Sequence, residues 1–136
     1  MNTWARGLSA ITLFAEDLSS AKAFYQEVLG LDRVFEDDVS VAFSFGNTII
    51  NVLAIPAAHE LIEPGTVAGA EAGARYQLTV DVDDVDAVCA ELADRGVALL
   101  NGPMNRPWGI RTASFTDPAG HIWEIAQGLP QAGTAG

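Results

Sequence analysis

The sequence has few of the residues on which several common kinds of protein function depend. Cys89 is its only cysteine, which excludes an internal disulfide and a thiolate metal site. The two histidines, His59 and His121, are predicted to be solvated loop residues. Only 7 basic residues stand against 18 acidic ones, and the net charge of −11 has the wrong sign for nucleic acid or anionic membrane surfaces. No apolar run approaches the roughly 18 residues of a membrane-spanning helix. We therefore expect a cytoplasmic protein without nucleic-acid or membrane partners.

The most informative stretch of the chain is the segment 112–127, which predicts two strands joined by a tight turn. Asp117, Pro118 and Gly120 occupy turn positions that these residue types prefer. After the turn, apolar and polar residues alternate, and Glu124 places a carboxylate in the middle of an otherwise apolar strand. A solvent-facing glutamate on an edge strand and a functional carboxylate are both compatible with this pattern.

The same pattern of elements occurs twice along the chain. A strand at 8–15 precedes an amphipathic helix that Asp17 caps and Gly30 ends, and a strand at 76–82 precedes a second helix that stops at Gly96. Further strands and a hairpin follow each helix. A βαβββ unit leaves one sheet face uncovered by its own helix. We therefore predict an α+β fold in which two such modules face one another around a shared cavity, with the helices on the outer face.

The boundaries of these modules follow from the composition. With 136 residues, of which 49% are hydrophobic, residues 1–136 should form a single domain. Module one covers about residues 8–55 and module two about 75–127. The segment 56–74 between them, rich in glycine and proline, is predicted to be a loop-like linker. Residues 128–136 are predicted to be a disordered tail.

Three motifs occur together and in order along the chain. They are DLxxAxxFYxxxLGL at 17–31, VDDVD at 82–86 before a helix ending in Arg-Gly, and DPAGHIWEI at 117–125. Together they resemble the motifs of the vicinal oxygen chelate superfamily, which includes glyoxalase I, bleomycin resistance proteins and extradiol dioxygenases. The resemblance covers about residues 8–127. It implies paired βαβββ modules whose curled mixed sheets surround a ligand cavity, and a homodimer.

Metal-dependent members of this superfamily hold one divalent ion with His and Glu side chains at four strand positions. Carried onto this chain through the motifs, these positions are Ala10, Asn51, Gln77 and Glu124. Ala10 has no donor atom, and neutral amides are poor ligands for borderline metals. The resemblance therefore implies neither a catalytic metal nor another cofactor here, with weak binding of an ion such as Mg²⁺ left as an alternative.

Strand parity predicts further side chains on the cavity side, together with Glu124. Trp108 could stack on a planar ligand, and Arg106 or Arg111 could pair with an acidic group. The alternative is that Trp108 plugs its loop into the core and that the arginines neutralise an acidic protein. The remaining predicted ligand-binding residues are Thr12, Phe14, Asn51, Gln77 and Thr79.

Three functional hypotheses follow. The first is a metal-independent small-molecule-binding protein that resembles bleomycin resistance proteins, takes a cationic or planar organic ligand and contributes to antibiotic resistance. The second is a metal-free isomerase, cyclase or lyase in which Glu124 is the general acid or base. The third is a metal-dependent glyoxalase-like lyase or dioxygenase. The sequence leaves open whether the protein is an enzyme.

Overall fold

The computed structural model describes residues 4–130, which form two compact units divided between Ala72 and Gly73. Each unit contains a four-stranded mixed sheet, and the order of elements in each is βαβββ. The predicted α+β class and the tandem βαβββ modules are thus confirmed. No helix in the described part of the chain is long and apolar enough to span a bilayer.

The first unit has its strands in the order β1-β4-β3-β2, with β1 parallel to β4 and the other pairs antiparallel. Its first helix continues into one π-helical turn before the chain reaches β2. Its elements are β1 (Ala10–Ala15), α1 (Leu18–Ala23), β2 (Asp32–Glu36), β3 (Ser40–Phe45), β4 (Thr48–Ala54) and α2 (Ile55–Ile62).

The second unit repeats this topology, with strand order β5-β8-β7-β6 and with β5 parallel to β8. A loop and a short 3₁₀ turn at Ala70–Ala72 precede it. Its elements are β5 (Leu78–Asp81), α3 (Val85–Asp94), β6 (Asn101–Asn105), β7 (Ile110–Thr116) and β8 (Ile122–Gly128).

Aspartates begin the main helix of each unit, and glycines follow it. Asp17 Oδ1 accepts from the backbone N–H groups of Ser19 (3.1 Å) and Ser20 (3.2 Å), which satisfies donors at the start of α1. Asp84 does the same for α3 through Ala87. The following glycines, 30 and 96, have φ values of +67° and +82°, in the left-handed region that glycine favours. The predicted cap at Asp17 and the predicted helix ends at Gly30 and Gly96 are confirmed, whereas the cap at Asp84 was not predicted.

The core of the first unit forms where the helix lies against its sheet. Tyr25, in the π-helical turn, is fully buried, and its ring centroid lies 5.9 Å from that of Phe43 on β3. One face of the sheet therefore carries large apolar side chains toward the helix, and burying them stabilises the unit. The other fully or almost fully buried sheet residues of this unit are Leu13, Ala15, Val41, Ile50 and Val52.

A helix, α2, occupies Ile55–Ile62 and includes residues 56–62 of the stretch 56–74 that the sequence predicted to be a loop. That prediction was wrong for these residues. Pro56 lies in the first turn of α2, where its missing N–H costs no helical hydrogen bond. Ala58 is fully buried, so tertiary contact supports a helix too short to show clear periodicity.

The edge strands β2 and β6 also escaped individual prediction, and each carries a bulge. In β6, Gly102 and Pro103 stand opposite the single residue Ala113 of β7. A strand that contains glycine and proline, and whose pairing is interrupted by a bulge, lacks the alternation of apolar and polar residues by which strands are recognised in a sequence.

The predicted disordered tail, 128–136, begins too early. Gly128 is the last residue of β8, and the N–H of Leu129 donates to the carbonyl of Gly109 at 3.0 Å. These two residues are therefore held by the β7–β8 hairpin. The part of the predicted tail at 131–136 lies outside the described residues.

Candidate ligand-binding site

The contacts of helix α3 show which face of the second sheet lies against the helix. Arg111 of β7 donates to Asp86 of α3 at 2.9 Å, and the N–H of Val85 donates to Gln127 of β8 at 2.9 Å. Because side chains alternate along a strand, Glu124 points to the opposite side of the sheet. We call this side the Glu124 face. The side chains of Thr79, Asn101, Thr112, Ser114 and Glu124 lie on it.

A row of polar side chains crosses all four strands on the Glu124 face. Thr79 of β5 pairs in register with Glu124 of β8, which pairs with Ser114 of β7, which in turn pairs with Asn101 of β6. Directly opposed residues on neighbouring strands have Cβ atoms about 5 Å apart, so these side chains are adjacent. The Thr79 hydroxyl donates to Glu124 Oε1 at 3.0 Å and fixes the orientation of the carboxylate.

Two members of this row have unused hydrogen-bonding capacity. Ser114 is only 5% exposed, yet its Oγ has no hydrogen-bond partner among the described residues. Glu124 is half-buried, and within residues 4–130 it pairs with no basic side chain. Buried polar groups are nearly always satisfied, and an unsatisfied one costs about 1–3 kcal/mol. A ligand or ordered water that contacts both groups would therefore be stabilised here.

Arg106 also reaches the Glu124 face, although it lies just beyond the end of β6. Its Nε donates to Thr112 Oγ1 at 2.8 Å and its Nη2 to Asn101 Oδ1 at 3.0 Å. Its backbone N–H donates to the Ile110 carbonyl at 2.7 Å, which closes the β6–β7 hairpin. Arg106 has no carboxylate partner in the described part of the chain. The face thus carries one guanidinium and one carboxylate that do not neutralise each other.

Arg111 lies on the other side of the sheet. Besides Asp86, it donates to Asn105 Oδ1 at 3.0 Å. The hydrogen bond to Asp86 raises the pKa of the Arg111 guanidinium. Arg111 therefore has the charge-neutralising role that the sequence offered as an alternative, and the structure does not bring it together with Glu124.

The corresponding row of the first unit is less polar. Thr12 of β1 pairs with Asn51 of β4, next to Ala42 of β3 and Phe35 of β2. The Asn51 amide lies 3.5 Å from the Thr12 hydroxyl, a weak contact. We call this side, opposite the ring of Phe43, the Asn51 face. Thr12 and Asn51 repeat the positions of the threonine and glutamate in the second unit, with an amide in place of the carboxylate.

Four other residues that the sequence predicted to belong to the site lie apart from the Glu124 face or outside the strands. Ala10 and Phe14 lie on the Asn51 face, paired with Ile49 and Leu53. Gln77 precedes β5 and is exposed. Trp108 is 68% exposed in the β6–β7 turn, so it does not plug that loop into the core.

Sequence reasoning missed three members of the Glu124 face. Ser114 could have been found by counting residues across the predicted turn from Glu124, because a hairpin sets the register of its strands. Thr112 follows from the same alternation. Asn101 could not be placed in this way, because the bulge in β6 breaks the count.

His121 also differs from its prediction as a solvated residue. Its side chain is 15% exposed, and its Nδ1 lies 2.8 Å from Oδ2 of the buried Asp117. The ring of Tyr76 lies nearby, with centroids 6.3 Å apart. Burial, and next the charge of Asp117, raise the pKa of the Tyr76 hydroxyl.

Comparisons with known proteins place this geometry in a family. The model of the glyoxalase/bleomycin resistance protein/dioxygenase superfamily matches residues 7–125. The chain belongs to this superfamily. It is 32% identical over 123 residues to the uncharacterized protein YraH of Bacillus subtilis (strain 168), covering 87% of this chain and 95% of YraH. The resemblance inferred from the motifs is confirmed.

Solved structures agree with this assignment. A superfamily member from Nocardioides has a TM-score of 0.84 and 21% identity, covering 99% of this chain and 93% of its own. TnmS3, an antibiotic binding protein from Streptomyces sp. CB03234, has a TM-score of 0.67 and 28% identity, covering 93% and 99%. A lactoylglutathione lyase from Agrobacterium tumefaciens has a TM-score of 0.70 and 23% identity, covering 90% and 93%.

The side chains at the superfamily's metal positions do not fit a catalytic divalent ion. Ala10 offers no donor atom, Asn51 and Gln77 offer neutral amides, and only Glu124 carries charge. Within residues 4–130, no group of three or more His, Cys, Asp or Glu side chains could hold a metal ion.

Proposed function

We propose that this protein is a metal-independent small-molecule-binding protein, comparable to the bleomycin resistance branch of its superfamily, and that its ligand binds at the Glu124 face. The observation that carries the proposal is the buried Ser114 hydroxyl, which has no hydrogen-bond partner among residues 4–130, next to the Glu124 carboxylate, which pairs with no basic side chain in the same residues. These groups are arranged to receive polar groups of a ligand. The similarity to TnmS3, an antibiotic binding protein, supports the same conclusion.

The first experiment measures metal content. Protein dialysed separately against Ni²⁺, Zn²⁺, Mn²⁺, Co²⁺ and Mg²⁺ is analysed by mass spectrometry after removal of free ions. We expect far less than one ion per chain, because one carboxylate and two amides offset little of the dehydration cost of such an ion. One tightly held ion per chain would contradict metal independence and favour the metal-dependent lyase or dioxygenase hypothesis.

The second experiment looks for ligands by thermal shift with a library of cationic and planar organic molecules. A ligand at a concentration of about 100 times its Kd adds about 2.7 kcal/mol to the free energy of unfolding, so hits are easily seen. We expect Ser114→Ala and Glu124→Gln to reduce the shift. Glu91→Gln, an identical change on the exposed side of α3, is the matched control. Hits that respond to none of the site substitutions would place the ligand elsewhere.

A second candidate function is a metal-free enzyme in which Glu124 transfers a proton. The observation that favours it is the Thr79 hydroxyl, which holds one carboxylate oxygen and leaves the other directed away from it. Glu124→Gln separates the two functions. For an enzyme, the rate of product formation from a bound molecule should fall about 10²–10⁴-fold. For a binding protein, only the affinity changes, and the ligand is recovered unaltered.

A further inference from the structure

The free edge of Arg106 gives the Glu124 face a second charged group with a defined direction. A guanidinium has five N–H donors in a planar fork. Nε and Nη2, the nitrogens of one edge, donate to Thr112 and Asn101. The other edge, formed by Nη1 and Nη2, has no partner within the described residues. Such an edge matches a carboxylate in bidentate geometry, and the two neutral acceptors behind it hold it in place.

The charges of Arg106 and Glu124 are too far apart to pair with each other, because one strand separates them. Glu124 is on β8, and the guanidinium is anchored to Thr112 on β7 and to Asn101 on β6. With strands about 4.8 Å apart and about 3.4 Å per residue along a strand, the two charges lie roughly 6–10 Å from each other. A single small molecule can span this distance.

The Ser114 hydroxyl, which has no hydrogen-bond partner in the described part of the chain, lies between these two charges. Ser114 is opposite Glu124 across the β7–β8 pair and opposite Asn101 across the β6–β7 pair. The face therefore presents a carboxylate, a hydroxyl and a guanidinium in sequence. A ligand with one charge leaves the other protein charge partly desolvated and unpaired, which costs affinity.

We propose that the Glu124 face selects an amphoteric ligand, a small organic molecule with a protonated nitrogen that Glu124 receives and a carboxylate that the free edge of Arg106 receives. The inference rests on the proposed function, because it names the class of molecule bound at the same site. It adds a role for Arg106, which a ligand that is only cationic does not use. Arg106 supplies positive charge to a site in a protein whose net charge is −11.

The test uses three probes that share one aromatic ring. 4-(Aminomethyl)benzoate carries an ammonium and a carboxylate at opposite ends, whereas benzylamine and benzoate carry one each. Affinities for the intact protein are measured by titration with NMR detection. We expect the amphoteric probe to bind at least about tenfold more tightly than either control, because it makes two charge-assisted contacts.

Substitutions assign each contact to its residue. Arg106→Gln should lower the affinity of the amphoteric probe about tenfold and leave that of benzylamine unchanged, and Glu124→Gln should spare benzoate instead. Arg106→Lys keeps the charge without the planar fork, so it should give an intermediate affinity. This second variant also keeps the test decisive if Arg106→Gln fails to fold. Arg75→Gln, at an exposed position before β5, is the control.

Two results overturn the inference. If benzylamine binds as tightly as the amphoteric probe and depends on Glu124 alone, the ligand is simply cationic, and the proposed function stands without the role of Arg106. If none of the three probes binds at about 10 mM, a concentration that detects an affinity of about −3 kcal/mol, amphoteric recognition is wrong. The library screen then decides the proposed function independently.

Discussion

Asp117 is the residue that organises the turn before β8, the strand that carries Glu124. Its Oδ1 accepts from the N–H groups of Ala119 (3.0 Å) and His121 (2.8 Å), and its Oδ2 contacts the His121 ring. The N–H of Gly120 donates to its carbonyl at 3.0 Å, as the sequence predicts for a tight turn. Asp117 thereby fixes the turn that sets the pairing register of β7 and β8, and with it the position of Glu124.

Replacing Asp117 with alanine should destabilise the protein strongly. The side chain is 1% exposed, and its loss leaves two N–H groups and an imidazole without their acceptor. We expect the free energy of unfolding, measured by urea denaturation, to fall by about 2–4 kcal/mol. Asp38→Ala, an exposed aspartate in another turn, should change it by less than about 0.5 kcal/mol. A loss below about 1 kcal/mol for Asp117→Ala would contradict this account.

Asp37 gives a prediction about acid. Its Oδ1 accepts from the N–H of Val39 (3.0 Å) and from the N–H (2.8 Å) and hydroxyl (2.9 Å) of Ser40. These bonds, that of Val39 first, lower the pKa of Asp37 below its ordinary 3.8. Because the folded pKa is the lower one, the contribution to stability is fully present above about pH 4 and is lost as the pH falls through the folded value.

The measurement is urea denaturation of the wild type and of Asp37→Ala at several pH values between 6 and 2.5. We expect the variant to be less stable near neutral pH and to lose less stability than the wild type below about pH 4. Asp38→Ala should keep the wild-type pH dependence. Parallel curves for the wild type and Asp37→Ala would show that these hydrogen bonds do not survive in solution.

The bulge in β6 is the element that brings Asn101 to the Glu124 face, where its side chain accepts from Arg106. Gly102 has φ +85°, and a Cβ atom there would lie 2.5 Å from the Thr112 carbonyl oxygen and 2.8 Å from the Ala113 Cα. Backbone atoms of β7 therefore approach β6 as closely as only glycine permits. The bulge adds one residue to β6 and restores the pairing of Asn101 with Ser114.

Gly102→Ala should be costly for this reason. Left-handed strain of about 1–2 kcal/mol adds to the overlap with β7, so we expect a loss of about 3 kcal/mol or more. Thermal and urea unfolding measure it. Gly128→Ala is the matched control, because nothing lies within 4 Å of a Cβ there and its φ is not positive. Equal stability of the two variants would mean that β6 does not hold this bulge.

The charge of the whole molecule predicts a dependence on salt. With a net charge of −11, repulsion between like charges opposes the compact state, and added ions screen it. Raising NaCl from about 0.02 to 0.5 M at pH 7 should increase Tm by roughly 2–5 °C. The increase should be smaller near pH 4, where carboxylates with ordinary pKa values are about half protonated. A Tm that falls with salt would indicate that specific ion pairs outweigh the repulsion.

The two units share one topology but carry different chemistry. The row on the second sheet contains a carboxylate and a hydroxyl where the first has Asn51 and Ala42. The Asn51 face of the first unit is therefore apolar with a neutral amide, whereas the Glu124 face of the second unit carries charge. The homodimer implied by the resemblance stays a prediction that light scattering can test.

The sequence by itself determined the repeated βαβββ unit, the cap of its first helix at Asp17 and the glycines that end both main helices. These features depend on local periodicity, turn residues and capping residues, which neighbouring positions in the chain express. It also predicted a buried-strand carboxylate at Glu124 and a place for Arg106 in a ligand site. The sequence did not predict α2, because a short helix with a proline in its first turn is stabilised by burial rather than by its own hydrophobic pattern.

Only the tertiary structure decided which side chains meet. A bulge moves Asn101 into the row of Glu124, Arg106 folds back over β7, and Arg111 turns to α3, although the two arginines lie five residues apart in one hairpin. The physical reason is that strand pairing joins residues distant in sequence, and one inserted residue sends a side chain to the opposite face. The local sequence does not indicate where this shift in register occurs.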